Sequence, residues 1–229
     1  MDTKELLLNE SNEMISGIYE RLQSLESLDL KSLDKNRTML LIVDINKGFA
    51  KAGALYSDRI EKLINPISNL AKYALNNGIR VKAFTDYHTE DSIELKAYPK
   101  HCMKDTDEWE LVEELNLEGI EVIKKNSTNG FLEENFILNK EEIDNVIIVG
   151  DCTDICIYQL AISLRAEFNR VNKDGEIYVP KKLVDTFDMP MHKANFMNYV
   201  FLNSMLDNGV KVIEDIILDY KYNFFSKLI

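Results

Sequence analysis

Apolar residues follow two rhythms along this chain, and the change between them falls near Thr38. Before it, Leu7, Met14, Ile18, Leu22 and Leu25 recur near helical spacing among charged residues. That spacing predicts one or two amphipathic helices, laid over the main body or over a neighbouring subunit of a homo-oligomer. From Thr38 the apolar residues gather into short runs at 39–43, 79–84, 120–123, 146–149, 177–179 and 210–213, unbroken at 39–43, 146–149 and 177–179. Runs apolar at every position fit strands covered on both faces, as in a parallel sheet. Between them 60–75, 109–115, 156–168 and 191–206 read as helices. Gly78 and Gly209 each follow an Asn and precede a run, where a helix C-cap belongs. The alternation predicts a doubly wound α/β fold, a mainly parallel sheet flanked by helices, over residues 37–229, with residues 1–36 as an N-terminal helical extension.

Composition narrows the partners. With 229 residues and 45% hydrophobic content the chain can bury a full core. Its formal net charge of -12 repels phosphate backbones and anionic lipid, which argues against nucleic acid and membrane partners and leaves a small-molecule substrate open. Three cysteines, Cys102, Cys152 and Cys156, are an odd count in a chain too large to need staples, so free thiols in a reducing compartment are expected. The acidic opening residues do not read as a targeting signal, and no stretch has the length of a membrane span. A cytoplasmic location is the expectation.

In an open parallel sheet, ligands sit beyond the carboxyl ends of the strands. There the chain places Asp44 after the first run, Asp86 and His88 after the second, Lys125 after the third and Cys156 shortly after the fourth. Gly150 permits a tight turn, and Thr153 or Asp154 is placed to cap a helix starting near Cys156. A thiol there would feel the positive end of the helix dipole, which favours the thiolate. Backbone N–H groups of Cys152 and Cys156 are candidates for holding an oxyanion. Asp44 is the candidate general base and acid, and Lys125 a cation to hold it ionised. The commoner roles are a buried structural cysteine, a turn-capping aspartate and a solvated lysine. Lys124 would point away if the strand persists. Asp86 and His88, two apart at a strand end, can grip one ion, and the loop that follows is long enough to return His101. One carboxylate and two imidazoles suit a divalent ion, Zn²⁺ first, with Fe²⁺ or Mn²⁺ as alternatives, and Glu94 is a fourth ligand candidate.

Taken together these residues resemble the isochorismatase-like cysteine hydrolase superfamily. Asp44, Lys125 and the run Gly150-Asp-Cys-Thr-Asp-Ile-Cys156 fall on its Asp, Lys and Cys positions across roughly residues 38–213. The distance from Lys125 to Phe131 is the family spacing, which selects Lys125 over Lys124. The stretches Phe84-Thr-Asp-Tyr-His88 and Tyr98-Pro-Lys-His-Cys102 match the nicotinamidase subgroup. The resemblance implies a Rossmann-like three-layer fold with a six-stranded sheet. It implies thiolate attack on a carboxamide, loss of ammonia and hydrolysis of a thioester, in pyridine nucleotide salvage. It carries Asp86, His88 and His101 over as metal ligands, with Glu94 matching a ligand of some members. Phe49 and Tyr98 match aromatic positions that sandwich the pyridine ring. Departures are Asn46 for the usual Gln, Leu-Glu-Glu-Asn after Phe131, and Asp151-Cys152 where a small residue and often a cis peptide stand. Two rival readings are a hydrolase of another carboxamide or N-carbamoyl compound, and a non-catalytic binding protein on the same fold.

Overall fold

The computed structural model describes residues 3–136 and 138–218, so the last eleven residues of the expected 37–229 unit lie outside the described residues. Eight strands are β1 (Leu28–Asp29), β2 (Thr38–Val43), β3 (Arg80–Asp86), β4 (Ile120–Lys125), β5 (Asn145–Gly150), β6 (Glu176–Pro180), β7 (Lys211–Ile213) and β8 (Ile216–Ile217). The α-helices are α1 (Thr3–Gln23), α2 (Lys47–Ala50), α3 (Asp58–Glu61), α4 (Ile64–Asn76), α5 (Tyr158–Arg170) and α6 (Ala194–Asp207). Six strands form one parallel sheet in the order β4-β3-β2-β5-β6-β7. All six expected runs are strands of this sheet.

Side chains alternate across a strand, so each face of the sheet needs its own cover. Leu40 and Ile42 face a core made with Ile67, Leu70, Ala71 and Ala74 of α4. Met39, Leu41 and Val43 face the opposite core, with Leu160, Leu164 and Phe168 of α5 and Leu202 and Met205 of α6. Leu41 is fully buried, and truncating such a residue to Ala costs about 2–5 kcal/mol. β4 departs from the expectation. It is an edge strand, and Glu121, Val122 and Lys124 stay exposed.

The N-terminal segment holds a single long helix. Ile18 and Leu22 of α1 enter the second core, Arg21 bonds Asn203 and Asp207 of α6, and Tyr19 stacks on Tyr199 at 5.7 Å. Leu7 and Met14 belong to the same stripe but remain exposed. β1 pairs with β8, a two-stranded addition that runs of two residues could not announce.

Two helices differ from their expected spans. The 60–75 span is broken into α3 and α4 because Pro66 has no N–H for the Lys62 carbonyl and its ring crowds that oxygen. The 109–115 span forms only a single turn at Glu113–Leu115. Its backbone is taken by another segment: Lys47 N–H donates to Glu110 O, Gly48 N–H to Glu108 O and Val112 N–H to Ile45 O. Gly78 and Gly209 take φ of +77° and +83° after α4 and α6, as C-caps. No helix among the described residues is long and apolar enough to cross a membrane.

Candidate active site

The order of the sheet reverses between β2 and β5, and the carboxyl ends around that point carry the candidate residues. Asp44 follows β2 with a positive φ of 56°, a conformation that Asp tolerates better than most residues. Gly150 at the end of β5 has φ +120°, and a Cβ there would sit 1.9 Å from the Val43 carbonyl oxygen. Only glycine lets the two strand ends lie this close. The Asp151-Cys152 peptide that follows is cis.

Cys156 lies inside a π-turn at Thr153–Ile157, and α5 begins only at Tyr158. This corrects the expected cap. Neither Thr153 nor Asp154 caps the helix: the Thr153 hydroxyl is buried with no hydrogen-bond partner among the described residues, and Asp154 bonds His192.

β3 and β4 bring two further groups beside the thiol. Asp86 and Lys125 are paired in register, so their side chains leave the sheet on the same face. Lys125 is fully buried and contacts Asp86, with its Nζ 2.9 Å from Asp44 Oδ2 and 3.7 Å from Cys156 Sγ. The Asp44 contact is an ion pair on one side of Oδ2, and that oxygen keeps a second lone pair for another donor. Lys124 turns outward, as its place in the strand dictates, and lies over Tyr87 and Trp109.

Burial decides the proton positions. It pushes the Asp44 carboxyl up to about 7 against the pull of Lys125, with the Asp86 charge adding to the rise. It pushes the Cys156 thiol well above its ordinary range, again against Lys125. Desolvation opposes the thiolate that a helix dipole would favour, so a proton acceptor beside the thiol matters. Burial also opposes ionisation of Asp86. The Lys125 charge wins there, and holds this carboxyl well below the carboxylate range.

Asp86, His88, His101 and Glu94 place one ligand-type atom each within 4.8 Å of one another. His101 Nε2 is 3.5 Å from Asp86 Oδ2, and His88 Nε2 is 3.8 Å from Asp86 Oδ1 and 4.0 Å from Glu94 Oε1. The ring hydrogen bonds test whether the cluster suits an ion. His88 Nδ1 bonds Asn126 Oδ1 at 3.0 Å and His101 Nδ1 bonds the Pro99 carbonyl at 2.7 Å. A carbonyl only accepts, so Nδ1 carries the proton and Nε2 presents a lone pair to the cluster. His88 Nε2 is buried and has no hydrogen-bond partner among the described residues. Two oriented imidazole lone pairs and two carboxylates fit a divalent cation.

A cavity of about 330 Å³ joins these parts. Asp86, Glu94 and His101 line it on one side, Cys152 and Cys156 on another, and Phe49 and Tyr98 between. The two aromatic rings both lie against His101, at 5.6 and 6.2 Å between centroids. Asn46 accepts from Phe49 N–H, so the residue in the place of the usual Gln caps the short helix that carries the ring. All ten residues expected from the sequence gather around this cavity or its metal-type corner. Residues that the sequence did not single out also line the cavity, among them Ile155, Phe187, Asp188 and Met189. The 187–189 loop follows a strand end, and that position was its only signal. Asp151, noted only as a departure, is also in the wall, and burial raises its carboxyl well above the usual range.

The isochorismatase domain matches residues 38–213. Nicotinamidase 1 of Arabidopsis thaliana is 29% identical over 209 residues, 77% of this chain and 85% of the relative. The pyrazinamidase/nicotinamidase of Streptococcus mutans superposes with a TM-score of 0.65 at 22% identity, over 77% of this chain and 99% of that one. The pyrazinamidase of Pyrococcus horikoshii, solved in complex with zinc, gives 0.63 at 23% identity, over 78% and 99%. At these identities the two structures speak for the shared fold. The match over most of the chain settles the family, and the chain belongs to the isochorismatase-domain hydrolases, among their amidohydrolases.

Proposed function

We propose that the chain is a nicotinamidase, converting nicotinamide and water to nicotinate and ammonia in NAD salvage. One observation carries the reading: a single cavity is lined by the Cys156 thiol, by three of the four metal-type ligands and by two aromatic rings. A flat heteroaromatic amide has a use for each. Phe49 and Tyr98 stack on the ring. A divalent ion, zinc by this reading, held by Asp86, His88, His101 and Glu94 would supply a Lewis-acid contact to the ring nitrogen.

The remaining chemistry falls to the protein. Asp44 accepts the Cys156 proton through its open lone pair, and the sulfur attacks the carboxamide carbon. Lys125 stabilises the charge that passes between thiol and carboxylate. Backbone N–H groups of Cys152 and Cys156 hold the oxyanion. Asp44 returns the proton to the amide nitrogen, the C–N bond breaks, and ammonia leaves behind a thioester on Cys156. Asp44 then takes a proton from water as the water attacks, and the C–S bond breaks to release nicotinate and the thiol. Ammonia release from nicotinamide tests the reading, and full activity on aliphatic carboxamides with none on nicotinamide would replace it.

A further inference from the structure

The third histidine of the chain has no part in the chemistry above, and its surroundings are unusual. His192 Nε2 lies 2.8 Å from Asp154 Oδ2, and its Nδ1 lies 3.0 Å from the Phe187 carbonyl oxygen. Its ring stacks on Phe187 at 4.0 Å with an interplanar angle of 11°. Asp154 is buried in the π-turn, two residues before Cys156. Phe187, Asp188 and Met189 form part of the cavity wall. The ring thus ties the wall to the turn that carries the thiol.

The loop is closed on itself as well. Met189 N–H donates to His192 O at 2.8 Å and His192 N–H donates to Met189 O at 3.1 Å, around Pro190 and a fully exposed Met191. Such a tight turn moves as a unit, so one anchor at His192 fixes the whole wall.

Counting protons gives the state of the anchor. A carbonyl and a carboxylate are both acceptors, and a neutral imidazole has only one N–H. Both bonds form together when Nδ1–H donates to the carbonyl and one further proton lies between Nε2 and Asp154. Asp154 is the charged group facing the ring from the nucleophile turn. On the loop itself Asp188 and Lys193 pair with each other, and the nearby Asp185 is held by Arg59 and Asn198.

We propose that His192 is a positioning residue which, through its bonds to Asp154 and to the Phe187 carbonyl, clamps the 187–191 turn to the nucleophile turn and so sets one wall of the amide pocket. The clamp rests on the amidase reading of that pocket for its kinetic consequence, and on geometry alone for its mechanical one. It acts on substrate fit, so its signature belongs to KM, whereas Asp44 and Cys156 act on kcat.

The test uses the full chain: wild type, H192A and D154N. Ammonia release from nicotinamide is measured across pH, and backbone amide exchange is followed over residues 187–193. H192A is expected to raise KM roughly ten- to a hundredfold, the range for a lost hydrogen bond to a charged group, with kcat within about threefold. It also speeds exchange at the Met189 and His192 amides. D154N keeps KM near the wild-type value, because the new amide donates to a neutral Nε2 while Nδ1 still donates to Phe187. Unchanged exchange in H192A, or a kcat loss without a KM change, overturns the clamp. If H192A does not fold, D154N decides, because a raised KM or faster exchange at Met189 and His192 in a variant that keeps both bonds overturns it. If wild type releases no ammonia from nicotinamide, the substrate reading fails instead, and the exchange measurement judges the clamp by itself.

Discussion

Lys125 and Asp86 are register partners on adjacent strands, and the buried ammonium of one contacts the carboxylate of the other while also facing Asp44. One cation therefore serves both the carboxylate beside the thiol and the carboxylate of the metal-type cluster. Lys125→Met would leave Asp44 and Asp86 buried near each other without a countercharge. The expected cost is about 3–5 kcal/mol in denaturant unfolding, the range for breaking a buried ion pair. Since Lys125 pulls the Asp44 carboxyl down, its removal raises that carboxyl further. The acid limb of any residual kcat/KM profile then moves to higher pH. A variant as stable as wild type with an unmoved acid limb would show that Lys125 does not govern this charge pair.

The three thiols sit in different surroundings. Cys102 is fully buried, and burial drives its thiol far up. Cys152 and Cys156 both line the cavity, but only Cys156 has the Lys125 ammonium within 3.7 Å. Iodoacetamide near neutral pH should label Cys156 faster than Cys152 and leave Cys102 intact until unfolding. Cys156→Ala should abolish turnover while leaving nicotinamide binding and thermal stability largely unchanged. Preferential labelling of another thiol, together with an active alanine variant, would remove Cys156 from its role.

Most of the fold was legible because buried parallel strands announce themselves as short, dense apolar runs. The errors have physical causes that a local pattern does not contain. The 109–115 segment has helical periodicity, but its backbone bonds are claimed by residues 45–48, which are far away in sequence. β4 is apolar enough to look central and lies at the edge. At the site, Asp44, Asp86, Lys125 and Cys156 were legible because strand ends collect ligand-facing residues. Asn126, which orients His88, and the 187–189 wall were not, since an amide and a loop carry no periodic mark. The desolvation of Cys156 was not legible either, because a dipole can be inferred from a helix start, whereas burial needs the packed structure.

Asn126 offers a test of the ligand cluster that spares the ligands themselves. Its side-chain oxygen fixes the His88 tautomer that turns Nε2 inward. Purified protein is expected to hold close to one divalent ion per chain by elemental analysis. Asn126→Ala should weaken metal affinity by roughly 10–100-fold, as losses of such supporting bonds do, and His88→Ala should lose the ion. Fully active, metal-free protein would overturn the assignment.

Acid stability has a separate origin, away from the cavity. Asp144 contacts Arg37 and Lys173, and the Arg37 hydrogen bond in particular holds its carboxyl well below the usual range. A carboxyl depressed in the folded state contributes stability above its unfolded value of about 3.9, and that stability is lost as pH falls through the folded value. The cluster is partly exposed, so the contribution is about 1 kcal/mol after screening. Asp144→Asn should lower unfolding stability by that much at pH 7, and the gap to wild type should close progressively below about pH 4. A gap of the same size at pH 2 would mean that shape, and not charge, supplies the contribution.

The ring nitrogen separates a nicotinamidase from a general amidase. Benzamide, nicotinamide and pyrazinamide are nearly the same in shape, and Phe49 and Tyr98 would stack on all three alike. Stacking therefore cannot tell them apart. The corner formed by Asp86, Glu94 and His101 can, because it opens into the same cavity as the thiol and favours a donor atom on the ring edge. A pocket built around one buried polar contact rejects an analogue lacking it by about 10⁴ or more, whereas apolar walls alone discriminate by roughly 10–200-fold. Nicotinamide and pyrazinamide should be turned over, and benzamide essentially not. Removing the ion with a chelator should weaken the two nitrogen heterocycles and leave benzamide where it was, since benzamide has no ring donor to lose. Comparable kcat/KM for benzamide and nicotinamide in metal-loaded protein would show that the corner does not read the ring, and a broader carboxamide specificity would take the place of this one.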